Sequence, residues 1–171
     1  MARVGPKVVE LAELPALLRP RRDAGATVAL CHGCFDLVHI GHVDHLQVAS
    51  TLADLVVVSV SSDPVCAKAP GRPAFGLRDR MDFLAALALV DFVVPSLAET
   101  AVPVIEAVRP DVFVKGADYA WMDTGDHEGL AAERAAVEAA GGRLELTVAS
   151  AQHHSSTALL SRYGKLHEGD G

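Results

Sequence analysis

Gly33-Cys34-Phe35-Asp36-Leu37-Val38-His39-Ile40-Gly41-His42 lies between two runs of different character. Before it stands the apolar, β-branched run Thr27-Val28-Ala29-Leu30-Cys31. After it, Val43, Leu46, Gln47, Ala49, Ser50, Leu52 and Ala53 follow a helical period. A strand, a glycine-bearing turn and a helix start therefore meet in one short stretch, with two histidines at the helix start. The first turn of a helix leaves N–H groups unpaired at the positive end of the macrodipole, so anions are received there readily. Imidazoles in the same place add donors, or cations when protonated. The arrangement suits a polyphosphate whose negative charge grows during a reaction.

Working outward, strand-like runs alternate with helical patterns. Strands are expected at 27–31, 55–60, 91–95, 111–115 and 143–148, and helices at 40–53, 77–89, 100–108, 129–140 and 156–163. Most of the strands are continuously apolar, as strands covered on both faces are. Gly141-Gly142 is a helix stop. Regular β–α alternation implies an α/β fold: one five-stranded parallel sheet with helices on both faces, wound by right-handed crossovers. Ligands in such sheets bind beyond the carboxyl ends of the strands, at the switch in strand order. The residues that draw attention fall there: 33–42 after the first strand, Ser61-Ser62-Asp63 after the second, and Lys115-Gly116-Ala117-Asp118 after the fourth. A single domain over 1–163 and a frayed tail over 164–171 are expected.

Composition removes several function classes. Of the 171 residues, 50% are hydrophobic, which argues against disorder. No apolar run approaches the ~20 residues that cross a bilayer. The start of the chain lacks the apolar core of a signal peptide. Three cysteines without a framework pattern point to a reducing compartment, so a cytoplasmic location is expected. A formal net charge of −7 repels nucleic acid and anionic membrane at long range. Arg19-Pro20-Arg21-Arg22 reads as the solvated end of a first helix rather than a nucleic-acid patch.

The same residues admit other chemistry. Cys31-His32-Gly33-Cys34 is a C-x-x-C between a strand and a helix, as in thiol redox proteins. That reading leaves Asp36, His39 and Gly41 without a purpose, and Cys31 reads better as a small apolar strand end. Cys34, His39, His42 and His45 offer zinc ligands but lack a second well-spaced pair. The loop Lys68-Ala69-Pro70-Gly71-Arg72-Pro73 carries two cations over the strand ends, placed to hold a triphosphate or to be solvated. Arg78 and Arg80 open the helix before the third strand. One hydroxyl of Ser155-Ser156-Thr157 is accounted for as a helix cap. Tyr119 and Trp121 offer rings to a base, or pack within their loop.

Gly33-Cys34-Phe35-Asp36 followed by His39-Ile40-Gly41-His42 resembles the G-x-F-D and H-x-G-H signature of the nucleotidyltransferase superfamily. The resemblance extends along most of the chain and is nearest to the adenylyltransferase domain of heptose-phosphate (ADP-heptose) synthases. It is carried by Cys34, Ser62-Asp63, Lys68, Gly71-Arg72-Pro73, Arg80, Val90-Asp91, Val114-Lys115-Gly116-Ala117-Asp118-Tyr119 and Ser155-Ser156-Thr157. It implies a Rossmann-like domain that transfers a nucleoside monophosphate from ATP to a sugar phosphate such as heptose 1-phosphate, releasing pyrophosphate. The runner-up is a CTP-dependent enzyme acting on glycerol 3-phosphate or a small phosphonate. From another class, a silent nucleotide-binding subunit is the alternative, against which His39, His42 and Lys68 together speak.

The resemblance also implies roles. His42, His39, Lys68 and Arg80 are the expected catalytic residues, with His42 at the transition state and Arg80 turned inward to acceptor or pyrophosphate oxygens. Gly33, Cys34, Phe35, Asp36, Gly41, Lys115, Gly116, Asp118, Ser155, Ser156 and Thr157 are expected at the nucleotide. Asp63, Arg72, Tyr119 and Trp121 are expected at the acceptor. Magnesium is expected to arrive with the triphosphate, with no dedicated protein metal site; Asp36 is placed either to reach it through water or to orient the turn. A homodimer is expected by analogy. Two departures from the family pattern bear on specificity. Gln152-His153-His154 replaces the acidic residue and glycine usual before the S-T-T turn, near the base. The 119–128 connection is longer than expected, which makes it a candidate acceptor-side lid.

Overall fold

The computed structural model describes residues 7–67, 69–116 and 127–147, the side chains of 127 and 128 excepted. The elements in order are α1 (Leu14–Asp23), β1 (Val28–Gly33), α2 (Ile40–Leu52), β2 (Leu55–Ser61), α3 (Asp63–Cys66), α4 (Leu77–Ala86), β3 (Phe92–Ser96), α5 (Val102–Val108), β4 (Val112–Gly116), α6 (His127–Ala139) and β5 (Arg143–Thr147). The five strands form one sheet in the order β3-β2-β1-β4-β5, and every pairing is parallel. From β1 the chain first winds to one side, through β2 and β3. It then crosses back to lay β4 on the other side of β1. The switch in strand order therefore falls between β1 and β4, where a crevice opens beyond the carboxyl ends.

The sheet separates two cores. Val28, Leu30, Val57, Val94 and Phe113 face one side and pack with Leu14 and Leu18 of α1, Val104, Ile105 and Val108 of α5, and Val137 of α6. Ala29, Cys31, Val56, Val58, Val60 and Val114 face the other and pack with Leu46 and Ala49 of α2 and Met81 and Leu84 of α4. Alternate residues of one strand thus enter opposite cores, and this is why the runs are apolar throughout rather than alternating. All seven residues of β2 are buried.

Each expected strand is present, displaced by a residue or two, and the four expected helices within the described residues are present. The expected first helix is α1, on which Arg19 and Arg21 are exposed. α3 is an addition that the sequence does not announce: Pro64 occupies its first turn, where a missing N–H costs nothing. α6 stops as expected. Gly141 has φ +90°, and a Cβ on Gly142 would stand 2.1 Å from the Pro110 carbonyl, so only glycine fits. The expected helix at 156–163, the tail, and the 119–128 connection up to residue 126 lie outside the described residues. Among the described residues no helix is long and apolar enough to cross a membrane.

Candidate active site

The turn between β1 and α2 is shaped by two non-glycine residues with left-handed backbones, Phe35 at φ +50° and Leu37 at φ +51°. Such conformations are costly for bulky side chains and persist where surrounding contacts hold them. Asp36, between them, supplies those contacts. It is 5% exposed, and its carboxylate accepts from the Ala74 N–H at 2.9 Å and the Phe75 N–H at 3.3 Å. It also pairs with Arg72 at 3.1 Å. The turn and the Gly71-Arg72-Pro73 loop are thereby joined through one carboxylate. Of the two roles weighed for Asp36, the geometry displays orientation of the turn.

His39 is the N-cap of α2, with extended backbone. Its Nδ1 accepts from the Gly41 N–H at 3.1 Å, and His42 Nδ1 accepts from the His39 N–H at 3.3 Å. This is a reciprocal capping box built from imidazoles in place of the usual hydroxyl and carboxylate. It settles the tautomers: with both Nδ1 atoms accepting, each neutral ring carries its proton on Nε2. The rings lie 4.0 Å apart, and His42 is 5.3 Å from the Phe35 ring. Burial, with His39 and His45 adding to it and Asp36 opposing, holds the His42 pKa down at about 3. His42 is therefore a neutral donor at pH 7 rather than an imidazolium.

Gly33 and Gly116 end the adjacent strands β1 and β4. A Cβ on Gly33 would make only ordinary contact with the Phe35 ring, at 3.5 Å, and one on Gly116 would meet nothing within 4 Å. Neither has a positive φ. Among the described residues nothing demands glycine at either place.

Arg80 is the inward arginine, 2% exposed, whereas Arg78 is solvated and pairs with Asp82 at 2.9 Å. A guanidinium has five N–H donors. Here Nε donates to the Phe75 carbonyl at 2.9 Å, and Nη2 donates to the Ser61 carbonyl at 2.9 Å and to Asp63 at 2.7 Å. Nη1 donates to the Cys34 carbonyl and approaches Cys66 Sγ at 3.7 Å. Every donor is directed at the protein. The expected direct hold on acceptor or pyrophosphate oxygens gives way to a joint that fastens the turn, the end of β2, α3 and the start of α4. Asp63, expected at the acceptor, is one partner of that joint, with half its side chain exposed.

Lys115 is also turned inward. It is 3% exposed and pairs with the buried Glu133 of α6 at 2.8 Å. Glu133 in turn accepts from the Ala101 N–H at 3.0 Å. The backbone end of β4 borders the crevice, while the ammonium anchors α6. Cys34, expected at the nucleotide, stands in the turn and forms a disulfide with Cys66, their Cα atoms 5.8 Å apart. The C-x-x-C reading would pair Cys34 with Cys31. Cys31 is instead fully buried in the sheet, as a small apolar strand residue is. Lys68, Asp118, Tyr119, Trp121, Ser155, Ser156 and Thr157 lie outside the described residues.

Two further histidines, His32 of the C-x-x-C stretch and His45 of the weighed zinc set, have partners that the sequence did not indicate. His32 places Nδ1 2.8 Å from Ser59 Oγ and Nε2 3.4 Å from Ser61 Oγ. His45 places Nδ1 3.1 Å from Thr147 Oγ1, whose hydroxyl donates to the Lys115 carbonyl at 3.1 Å. Burial, and then the Lys115 charge, lowers the His32 pKa to about 3 and that of His45 to about 4. The available signal was the pair of serines within the apolar run Val56-Val57-Val58-Ser59-Val60-Ser61, since polar groups inside a buried strand need partners. Among the described residues no group of three His, Cys, Asp or Glu is arranged to hold a metal ion.

A doubly wound parallel sheet whose first strand runs through a G-x-F-D turn into a histidine-capped helix defines a nucleotidyltransferase-type domain. The Cytidylyltransferase-like family pattern matches residues 30–160, and the chain belongs to that family. This places it in the nucleotidyltransferase class of enzymes. The chain is 43% identical over 136 residues to the Bifunctional protein HldE of Halorhodospira halophila, covering 78% of this chain and 28% of the relative. It is 37% identical over 158 residues to the Bifunctional protein HldE of Geobacter sulfurreducens, covering 91% and 31%. The chain thus spans about three tenths of the length of these curated relatives. Among solved structures, the lipopolysaccharide core biosynthesis protein from Thermoplasma volcanium shares the fold with a TM-score of 0.59 at 23% identity, over 74% of this chain and 98% of that one. The pantoate-beta-alanine ligase from Francisella tularensis does so with a TM-score of 0.59 at 14% identity, over 94% and 77%.

Proposed function

We propose that this domain transfers the adenylyl group of ATP to a phosphorylated sugar of the heptose 1-phosphate kind, with release of pyrophosphate. The observation that carries the reading is the reciprocal cap of His39 and His42. It leaves the Nε2–H of each ring as the donor of a neutral imidazole, at the start of α2 just beyond the carboxyl end of β1. An acceptor phosphate oxygen attacks the α-phosphorus in line and pyrophosphate departs. A phosphomonoester is largely dianionic near neutral pH, its second pKa being about 6, so the attacking oxygen needs no general base. Catalysis reduces to positioning and to stabilising charge that develops on the phosphoryl oxygens.

Neutral histidines suit that task. A donor that carries no charge binds the ground-state triphosphate less tightly than a cation would, and its hydrogen bond strengthens as charge builds. Lys68 is proposed to meet the α-phosphate or the acceptor phosphate. Arg80 and Asp36 act through the segments they hold. Magnesium is proposed to enter on the triphosphate, bound by phosphate oxygens and water, because the Asp36 oxygens are taken up by Arg72 and two amides. Bound so, it would neutralise part of the triphosphate charge.

ATP is favoured by the likeness of Cys34 and Val114-Lys115-Gly116 to the adenylyl branch, and the sugar phosphate by the HldE relatives. Gln152-His153-His154 is the feature that favours CTP. Pyrophosphate release measured with ATP and CTP over a panel of sugar 1-phosphates, glycerol 3-phosphate and small phosphonates tests the assignment. Turnover with ATP and a sugar phosphate supports it. A tenfold preference for CTP with the best acceptor transfers the protein to the cytidylyl branch.

A further inference from the structure

We propose that Cys34 and Cys66 are a reversible dithiol–disulfide site that locks the 33–36 turn onto α3. The two residues are far apart in sequence and are brought to a Cα separation of 5.8 Å, within the range a disulfide spans without backbone movement. Their surroundings accommodate both states. Arg80 Nη1 donates to the Cys34 carbonyl and stands 3.7 Å from Cys66 Sγ, so one guanidinium bridges the two cysteines' surroundings. The Ser61 carbonyl lies 3.5 Å from the same sulfur and is an acceptor for the reduced thiol. Cys34 is partly exposed and Cys66 is buried, which gives them different parts to play. Cys31 is excluded although it is nearer to Cys34 in sequence. It is fully buried within the sheet, and burial pushes its thiol pKa up.

The co-reactant is a low-molecular-weight disulfide. The Cys34 thiolate attacks one of its sulfurs, forming a mixed disulfide and releasing one small thiolate. The Cys66 thiolate then attacks the Cys34 sulfur and displaces the second. Two protein thiols and one small disulfide become one protein disulfide and two small thiols, which carry away both protons. The protein loses two electrons, and a dithiol reverses the step.

The consequence follows from the connections on either side. The segment between α3 and α4 is already held at its far end by Asp36, through Arg72, Ala74 and Phe75. The disulfide fixes its near end to the same turn. Oxidised, the segment is tied at both ends and resists adjustment around a ligand; reduced, it is tied by Asp36 and the Arg80 joint. The effect on turnover rests on the nucleotidyl-transfer reading, whereas the disulfide itself does not.

The full chain is reduced, then incubated with glutathione disulfide, denatured and alkylated. Intact mass should show three alkylated cysteines before oxidation and one after it, and peptide mapping should join Cys34 to Cys66. The oxidised form should melt about 5–10 °C higher, through loss of chain entropy in the unfolded state. Its turnover should fall about threefold or more and recover with dithiothreitol. Cys66→Val and Cys66→Ser should abolish all three responses. Three alkylated cysteines after oxidation, a Cys31–Cys34 link, or a persistent mixed disulfide at Cys34 would overturn the site. A Cys34–Cys66 link with unchanged turnover would overturn the lock. If neither ATP nor CTP supports turnover, the mass and melting readouts still decide the disulfide, and the failure belongs to the transfer reading.

Discussion

His42 reaches back to the residue that caps its own helix: the His39 N–H donates to His42 Nδ1 at 3.3 Å, while His39 Nδ1 takes the Gly41 N–H at 3.1 Å. One pair of bonds closes the helix end and chooses the tautomer that leaves both Nε2–H groups as donors. Structure and chemistry therefore depend on opposite nitrogens of the same rings, and substitutions can separate them.

Replacing His42 by alanine removes both functions. Loss of the cap should cost about 0.5–2 kcal/mol of stability. Loss of a donor to the transition state should cost about 10²–10³ in turnover. His42→Gln keeps a side chain able to reach the His39 N–H, as in an ordinary capping box. It should recover most of the stability, read by urea unfolding, without recovering turnover. Turnover of the alanine variant within threefold of wild type would remove His42 from the chemistry.

Arg80→Lys tests whether the buried guanidinium acts through the protein. A lysine has three donors on a point charge and cannot reproduce the spread of carbonyls around Arg80. With hydrogen bonds to charged groups worth about 1.5–3 kcal/mol each, the variant should lose roughly 2–4 kcal/mol in urea unfolding. Turnover should fall in parallel. Unchanged unfolding together with a raised acceptor KM would return Arg80 to substrate contact.

Three imidazoles are held uncharged by burial, with folded pKa values of about 3 for His32 and His42 and about 4 for His45. In the unfolded chain each titrates near the ordinary value of 6.5. Between these limits the unfolded state binds more protons, so stability rises with pH across the window and is fully present above pH 6.5. The melting midpoint should therefore fall as pH is lowered from 6.5 towards 4. His32→Asn should flatten that slope. A slope unaltered in the variant would show that His32 is not buried uncharged.

Lys115 and Glu133 form a buried pair, each nearly without solvent contact. Breaking such a pair from one side leaves a charge uncompensated and typically costs about 3–5 kcal/mol. Lys115→Met should show a loss of that order. Lys115→Met combined with Glu133→Gln, which keeps an oxygen for the Ala101 N–H, should recover much of it. A purely additive double-mutant cycle would show that the two charges do not act on each other.

The sheet was legible in the sequence because its signal is local. Val56-Val57-Val58 and Val112-Phe113-Val114 are apolar on both faces, and a chain that alternates such runs with helical periods has few ways to bury them. The G-x-F-D and H-x-G-H spacing likewise marked the strand-to-helix turn. The partners of the site residues were less visible, because they come together from distant parts of the chain. Arg80 reads as a cation for phosphate until the carbonyls of Cys34, Ser61 and Phe75 are seen around it. Lys115 reads as a ligand for a nucleotide until α6 brings Glu133 under it. Cys66 drew no notice because its pairing with Cys34 depends on α3, a helix too short for any periodic signal. The left-handed backbones of Phe35 and Leu37 were equally hidden, since glycine is the residue that usually announces such conformations.

The central claim is attack on the α-phosphorus at the histidine-capped crevice. ATP labelled at its α-phosphorus, incubated with magnesium and a heptose 1-phosphate, tests it most directly. The account predicts label in a nucleotide-sugar product, unlabelled pyrophosphate in equal amount, and loss of both by about 10² or more in His42→Gln. Orthophosphate in place of pyrophosphate, label that stays out of the product, or full product formation by His42→Gln would contradict it.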